Sequence, residues 1–248
     1  MTLPFKQCML MLLSLGICAR AAGLETAIEV KKDYDLDADL SYLLNNNSEG
    51  ASSTKQQSVV AHLDYKHRVG IWGQEIKAEA VGTHSDNASD SAERYLVATK
   101  MMHSEGSYYE FGKLQWEKDR SSAFDYQTAM TVGLGRALYR DEQQLLTGEL
   151  GLGGRFDQNR EPPRHHTTET IATFAAHYER HLTPTVNVSQ DLGIDYGSSS
   201  HTLRAQSVVS MTITERLSGL FSYEDKRIST HLGSSDAALT SFGLKYSY

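Results

Sequence analysis

From Tyr34 onward, the sequence alternates apolar and polar residues with a period of two. In the first such segment, Leu36, Ala38 and Leu40 alternate with aspartates at positions 35, 37 and 39. This is the period of a β-strand with one apolar face, because successive strand side chains point to opposite faces, whereas a helix would repeat every 3.6 residues. Twelve such segments follow one another up to Tyr248, most of them nine to thirteen residues long. The pattern predicts an all-β chain.

The length of these segments indicates strands that cross a membrane. A tilted strand needs roughly 9–11 residues to span the bilayer, whereas strands of soluble proteins usually have about 5 or 6. The connections alternate in length, as they do in outer-membrane barrels. The long polar connections are 45–54, 84–91, 159–166 and 229–236, and the short ones are 67–70, 104–106, 182–184 and 214–217. We therefore predict a transmembrane antiparallel up-and-down β-barrel of about 12 strands, with ten or fourteen as alternatives. It should have short periplasmic turns and longer extracellular loops.

Two stretches complicate this pattern. Between positions 93 and 118, Leu114 and Trp116 are one residue out of phase with Tyr109 and Phe111, which predicts a bulge or a different register. The glycine-rich stretch 148–154 lies within a strand segment and opens no helix, so it does not predict a phosphate-binding loop. We expect its glycines to allow bending and close packing of a curved sheet.

The N-terminus has the three parts of a secretory signal peptide. Positions 1–7 carry one lysine and no acid, positions 8–18 are mostly apolar, and Ala19-Arg20-Ala21 matches a cleavage site. We expect a signal peptide at 1–21, a periplasmic lead-in at 22–33 and the barrel at 34–248. A lipoprotein signal ending at Cys18 is the alternative, although Ile17 fits its cleavage site poorly. Both cysteines of the chain lie in the signal, so the mature chain would have neither disulfides nor cysteine-based zinc sites.

Charge narrows the choice of partners. Without Lys6 and Arg20 of the signal, the chain has 22 basic and 31 acidic residues, a net charge of -9. An acidic chain without a basic stripe argues against a nucleic-acid partner. The mean hydropathy of -0.43 is compatible with a membrane barrel, because only alternate residues of its strands face lipid.

Several short motifs carry a family resemblance over about 34–248. They are YYEFG at 108–112, WEKDR at 116–120, GLGR at 133–136, GELGLGGRFD at 148–157 and GLKYSY at 243–248. On these motifs the chain resembles the DUF481 family, whose YdiY-like members are described as salt-induced outer-membrane proteins. The resemblance implies an outer-membrane barrel. It supplies no catalytic motif, because the function of the family is unknown.

The polar face of the predicted strands is the candidate functional site, because it would line the lumen. So many carboxylates cannot lie in a dry interior without partners. The lumen is therefore either hydrated, as in a narrow pore that favours cations, or filled by a network of paired charges. The candidate lumen-lining residues are Asp35, Asp37, Asp39, Asp64, Glu75, Lys77, Glu79, Glu149, Arg155, Asp157, His177, Glu179, Asp191, Asp195, Arg204 and Lys245.

No motif predicts a catalytic, cofactor or metal site. Asp35-x-Asp37-x-Asp39 has a spacing found in calcium loops, but it lacks the glycine and glutamate of such a loop and fits a strand better. The pair His165-His166 lies in a long polar connection, where a solvated loop explains it. An esterase would need a serine, a histidine such as His177 and an orienting group on adjacent strands, which the sequence does not establish.

The C-terminus resembles the strand signature that the barrel-assembly machinery reads. Phe242, Leu244, Tyr246 and Tyr248 share one face of the last predicted strand. We therefore expect a protein of the bacterial outer membrane, in contact with membrane lipid and lipopolysaccharide and assembled by that machinery. The expected role is a narrow channel for small solutes or ions, linked to a salt or osmotic response. A closed structural or interaction barrel that acts through its outer loops is the alternative, and an outer-membrane esterase or phospholipase is the third.

Overall fold

The computed structural model describes residues 34–49, 52–85, 92–120, 122, 124–160, 166–230 and 233–248. The predicted signal peptide and lead-in lie outside these described residues, as does His165. The described part of the chain forms twelve β-strands. None of its residues belongs to a helix long and apolar enough to cross a membrane.

The strands follow one another in chain order. They are β1 (Tyr34–Glu49), β2 (Ser52–Val69), β3 (Trp72–Ser85), β4 (Ala92–Glu105), β5 (Tyr108–Asp119), β6 (Phe124–Arg140), β7 (Gln144–Asn159), β8 (His166–Thr183), β9 (Val186–Gly197), β10 (Ser200–Thr212), β11 (Leu217–Thr230) and β12 (Gly233–Ser247).

Each strand pairs with its neighbours in sequence, and β1 pairs with β12 to close the barrel. All of these pairings are antiparallel, which confirms the predicted up-and-down barrel of 12 strands. We call the end at which β1 begins and β12 ends the terminal end, and the opposite end the loop end. Closure leaves no strand edge unpaired, as a barrel in lipid requires.

The strands are longer than the sequence pattern predicts. They run from 12 residues in β5 to 18 residues in β2. The predicted long connection at 45–54 is mostly strand, because β1 continues to Glu49 and pairs there with Ser52 of β2. The predicted connection at 229–236 is shortened in the same way, with Thr230 opposite Gly233. Backbone pairing needs no apolar alternation, so these hairpins extend into sequence that reads as polar loop.

Strand β5 excludes the first alternative predicted between positions 93 and 118, a bulge, and agrees with the second, a register in which these residues face other sides than hydrophobicity alone assigns. Its pairing with β4 and with β6 runs without a register shift. Tyr109 and Phe111 face the lumen, whereas Leu114 and Trp116 of the same strand face outward. Register shifts occur elsewhere, in β6 near positions 125 and 138 and in β8 near position 182.

Glycines on β6 explain why β5 can direct two aromatic rings inward. Tyr109 lies opposite Gly135, and Phe111 lies opposite Gly133. A β-carbon on Gly135 would collide with the Tyr109 ring, and one on Gly133 would lie 2.7 Å from the Phe111 ring. The rings therefore occupy the space that the two glycines leave free. Gly151 of β7 pairs with Gly133 and lies beside the same Phe111 ring, which agrees with the close packing expected of the glycine-rich stretch.

Three turns at the terminal end have well-defined local causes. Gly70 and Gly106 adopt φ angles of 59° and 64°, in the left-handed region that favours glycine. In the β6–β7 turn, the Tyr139 hydroxyl donates to Asp141 Oδ2 at 2.8 Å, and the Gln143 backbone N–H donates to Asp141 Oδ1 at 2.8 Å. These hydrogen bonds, that of Tyr139 first, lower the pKa of the Asp141 carboxyl.

The outer wall of the barrel is apolar over its middle. Leu150 is 66% exposed and Leu152 is 63% exposed, and both lie on the outward face of β7. Similar exposure holds for Met130, Val132 and Leu134 of the adjacent strand β6. A continuous exposed apolar surface of this kind is typical of a wall that faces lipid.

Candidate functional site

The lumen is the candidate functional site, because the strands direct most of their charged residues into it. The register places all of the predicted lumen-lining residues on the inward face of their strands. Most of them are paired. Three of them, Asp35, Glu75 and Asp195, form no ion pair with any residue that the structure describes.

One group of charges joins opposite walls of the barrel near the loop end. Lys226 of β11 contacts Glu117 of β5, and its Nζ lies 2.7 Å from Oδ2 of Asp119. Strands β5 and β11 are six positions apart in the closed order of twelve, so they lie on opposite sides. Arg204 of β10 also contacts Glu117. We call these four residues the cross-lumen network. The contact between Lys226 and Glu117 is almost dry, since their side chains are 2% and 3% exposed, whereas the Arg204 side chain is 25% exposed.

A second chain of polar contacts crosses the lumen beside it. Arg94 of β4 donates from Nε to Oε1 of Glu79 at 2.9 Å and from its terminal nitrogen to Oε2 of Glu224 on β11 at 2.6 Å. Glu79 also faces Nε2 of His62 at 3.5 Å. Nδ1 of His62 in turn lies 2.9 Å from Oδ1 of Asp39 on β1. Side chains from five strands are thus linked, and Arg94 is the residue that reaches across the lumen.

The third buried group of charges lies close to the β9–β10 connection. Nε of Arg155 donates to Oδ2 of Asp157 at 3.0 Å, and its terminal nitrogen contacts Glu169 and Ser200. Oε2 of Glu169 accepts hydrogen bonds from the Ser199 N–H at 2.8 Å and from its hydroxyl at 2.7 Å. Arg155 and Glu169 therefore bind the β9–β10 connection to the wall formed by β7 and β8.

The terminal half of the lumen is more open. Lys77 is 52% exposed, Asp191 45% and His177 37%, although all three face inward. Lys77 lies 3.7 Å from Asp64, and Nδ1 of His177 lies 2.8 Å from Oδ1 of Asp191. We call this half the vestibule. It is lined by Asp64, Lys66, Lys77, His177, Glu179 and Asp191.

Lys100, Tyr109 and Glu149 form a further group of contacts inside the lumen. The Tyr109 hydroxyl donates to Oε1 of Glu149 at 2.5 Å, and Lys100 contacts the same carboxylate. Nζ of Lys100 also lies 5.0 Å from the centre of the Phe111 ring. A cavity of about 90 Å³ remains here, with Phe111 and Ile171 in its lining. The lumen therefore changes from solvated side chains at the terminal end to paired, buried ones towards the loop end.

Only part of this arrangement is predicted from the sequence. Arg204 and Glu79 are among the predicted lumen-lining residues, but their partners Glu117 and Arg94 are not, nor is Lys226. Glu117 could not be assigned to a face, because the aromatic residues of β5 indicate two different phases. Glu117 faces inward only if its neighbour Trp116 faces outward. Lys226 lies in a segment with weak alternation. Once the pairing of the strands is known, the alternation of inward and outward positions identifies these residues as facing the lumen.

The geometry around His177 does not assemble the esterase arrangement. Nδ1 of His177 lies 2.8 Å from Asp191, and Nε2 faces Glu179 at 3.9 Å. No serine hydroxyl contacts this ring in the part of the chain that the structure describes. The aspartates of the 35–39 repeat also separate: Asp37 lies 2.5 Å from Lys245, and Asp39 binds His62. No cluster of three metal-ligating side chains forms among the described residues.

The C-terminal residues lie on the outer wall. Phe242, Leu244 and Tyr246 of β12 are 57%, 54% and 46% exposed. The ring of Tyr248, beyond the strand, stacks on Tyr34 of β1 with 6.5 Å between centroids. These apolar side chains follow the seam at which the barrel closes, and their reading by the assembly machinery stays a prediction.

The comparisons with known proteins agree on a family and a fold. The profile of the family described as "Protein of unknown function, DUF481" matches residues 48–248. No curated protein sequence matches the chain. Among solved structures, the translocator domain of the autotransporter NalP from Neisseria meningitidis superposes with a TM-score of 0.50 at 9% identity, covering 88% of this chain and 90% of that one.

Two channel proteins give similar superpositions. The COG4313 outer membrane channel from Pseudomonas putida F1 has a TM-score of 0.51 at 8% identity, covering 87% of this chain and 96% of that chain. The NanC porin has a TM-score of 0.50 at 7% identity, with 85% and 98% covered. At such low identity the likeness concerns the barrel fold alone.

Proposed function

Because the chain belongs to the DUF481 family, whose description records no function, we propose a role from its geometry: a β-barrel of the bacterial outer membrane whose lumen is held closed by paired charges. The apolar outer wall supports a membrane location. In the proposed orientation the terminal end faces the periplasm and the loop end faces outward, since barrels of this class have short periplasmic turns. The barrel then acts as a structural or interaction protein at the cell surface.

The observation that carries this proposal is the cross-lumen network. Lys226 and Glu117 come from opposite walls and their side chains are 2% and 3% exposed, so their contact is buried, which supports a lumen that is closed at this level. Arg94 adds a second bridge from β4 to β11. Separating such pairs is costly, because each buried charge would lose its partner in a poorly solvated place.

A narrow cation channel is the second candidate, and the vestibule favours it. Solvated side chains such as Lys77 and Asp191 extend into the lumen from the terminal end. If the two bridges open, the acids left on the wall, Glu117 and Glu224 among them, would line a path that favours cations. The link to salt or osmotic stress belongs to this candidate, with the bridges as the gate.

Conductance in a planar bilayer distinguishes the two candidates. The mature protein is refolded, its folded state is checked by heat-shifted gel mobility, and single-channel currents are recorded at about 0.1 M and about 1 M KCl. We expect the wild type to be silent at both concentrations, since buried pairs are screened much less than exposed ones. The triple variant R94A/R204A/K226A removes the three cations whose contacts cross the lumen and should show discrete, cation-selective steps. R227A, which changes the outward neighbour of Lys226, should remain silent.

Each result has a definite meaning. Steady currents from the wild type would refute the closed lumen. Currents that appear only at high salt would support the salt-gated channel. A folded but silent R94A/R204A/K226A protein would show that these bridges are not what closes the lumen.

A further inference from the structure

A groove of about 420 Å³ lies on the outside of the barrel at the loop end, apart from the lumen. Strands β4 and β5 form one side of it, and the starts of β6 and of the β7–β8 connection form the other. Three of its six lining residues are basic and two are acidic, which is unusual beside an apolar wall. The lining residues are Glu93, Tyr95, Lys118, Arg120, Asp125 and Arg160.

The register fixes the height of this groove on the wall. Val97 and Trp116 are opposite each other and outward, and one step towards the loop end Tyr95 lies opposite Lys118. Trp116 and Tyr95 are 38% and 45% exposed. Aromatic side chains at this position mark the boundary between hydrocarbon and headgroups in outer-membrane barrels. Lys118 therefore projects at the level of lipid headgroups, with apolar wall directly below it.

The positive charge of the groove is only partly neutralised. Arg120 lies 3.1 Å from Oε1 of Glu93. Arg160 donates instead to backbone carbonyls, that of Asp119 at 2.7 Å, that of Phe124 at 3.2 Å and that of Arg120. Neither Arg160 nor Lys118 forms an ion pair with any described residue.

Asp125 also lines the groove and forms no ion pair with a described residue, so it opposes one of these charges. The groove as a whole still carries one more cation than it has carboxylates. Because its hydrogen bonds hold Arg160 against the strand ends, that positive charge is fixed in place before any ligand binds, which lowers the cost of binding.

We propose that this groove binds a phosphate group of an outer-leaflet lipid. The proposal rests on the proposed outer-membrane location. Lys118 and Arg120 would contact the phosphate oxygens with charge-assisted hydrogen bonds, as such side chains do with phosphates generally. Arg160 adds its fixed charge behind them, and Tyr95 and Trp116 pack against the apolar part of the same lipid.

Another basic residue at the loop end lacks these features and serves as a matched control. Arg227 of β11 also faces outward, but its Nε lies 2.7 Å from Oδ1 of Asp236, and the two side chains are 54% and 52% exposed. Its charge is neutralised by its partner.

The test uses the refolded mature protein in a neutral detergent, so that lipid retention does not depend on insertion into a membrane. Bound lipid is counted by native mass spectrometry after addition of bis-phosphorylated lipid A or of the same lipid without phosphates. Wild type and R227Q should retain one phosphorylated lipid and prefer it to the phosphate-free form. K118Q/R120Q should bind it about tenfold or more weakly, while it keeps the heat-shifted gel mobility of a folded barrel.

The remaining outcomes distinguish a lipid phosphate from a soluble anion, and the proposed lipid site from the proposed membrane location. Equal retention by wild type and K118Q/R120Q would overturn the site. If inorganic pyrophosphate displaces the lipid at equal concentration, the groove is a site for a soluble anion and the lipid assignment is wrong. A parallel measurement of insertion into vesicles tests the membrane location separately, because loss of insertion with intact lipid retention would count against that location alone.

Discussion

Replacing Lys226 with methionine is expected to destabilise the folded barrel far more than replacing its neighbour Arg227. Methionine keeps most of the length of the side chain and removes the charge. Lys226 is 2% exposed and serves two carboxylates, on Glu117 and Asp119, whose side chains are 3% and 8% exposed. The variant therefore leaves a buried cluster with one cation fewer.

The structure sets the expected size of this effect. Removal of one partner of a buried pair typically costs about 3–5 kcal/mol in free energy of unfolding, because the remaining charge stays buried. We expect the lower end, about 3 kcal/mol, since Glu117 keeps its contact with Arg204. For R227M the expected loss is about 0–1 kcal/mol, because its pair with Asp236 is more than half exposed. A difference of about 2 kcal/mol corresponds to roughly a thirtyfold change in the unfolding equilibrium.

Urea unfolding of the protein in lipid vesicles measures both values. The two tryptophans of the chain, Trp72 and Trp116, lie on the outer wall and report on loss of the lipid environment. Equal slopes of free energy against urea are needed for the comparison. The double variant K226M/D119N should recover part of the loss, because it also removes one of the two buried carboxylates that Lys226 contacts. If K226M and R227M unfold at the same urea concentration, the cross-lumen network does not stabilise the barrel and the reasoning is wrong.

Two further substitutions test the seam and the membrane-facing wall. Gly243→Ala should lower the free energy of unfolding by about 1–3 kcal/mol, because a β-carbon there would collide with β1 across the closing seam. The control is Gly193→Ala, at an inward position where a β-carbon would have nothing within 4 Å. It should cost less than about 1 kcal/mol in the same urea titration. On the membrane-facing wall, Leu150→Arg should lower the free energy of unfolding in vesicles by about 2–4 kcal/mol. Leu182→Arg, near the turn at the terminal end, should lower it by only about 0–1 kcal/mol. Equal losses would contradict the proposed position of the membrane.

The sequence predicts the fold well because alternation is a local property. Each strand carries its own period of two, so the number of strands and the outward positions of β7 follow from neighbouring residues alone. The strand ends are different. Glu49 and Ser52 continue the β1–β2 ladder through backbone pairing, which leaves no mark on hydrophobicity. For the same reason, connections that the polar sequence predicts as loops are partly strand in the structure.

Strand β5 shows where local pattern fails. Tyr109 and Phe111 are aromatic, so hydrophobicity assigns them to the outer wall, whereas the structure directs them inward. The cause lies on the next strand, where Gly135 and Gly133 leave room for the rings. Information of this kind depends on register between strands, which a single segment cannot supply.

The pairing of the charges in the lumen also depends on contacts between distant strands, so it cannot be predicted from any single segment. Glu117 and Lys226 are 109 positions apart, and they meet only because closure brings β5 and β11 to opposite walls. Inward orientation of the acids can be predicted from alternation, but whether an acid lines a water path or binds a cation depends on the opposite wall. A ring of acids therefore indicates a cation path only where no arginine or lysine faces it.

The residues that bridge the lumen share one property, the length of their side chains. The cations that cross it are Arg94, Arg204 and Lys226, which reach Glu117 and Glu224, and Lys226 also reaches the shorter Asp119. Aspartates on the inward face mostly bind a residue of the same or the adjacent strand, as Asp39 binds His62 and Asp191 binds His177. In this barrel of twelve strands, every one of these crossing contacts includes a long arginine or lysine side chain. The distribution of arginine, lysine and glutamate along the inward positions therefore decides at which height contacts cross the lumen, and here they lie in the half next to the loop end.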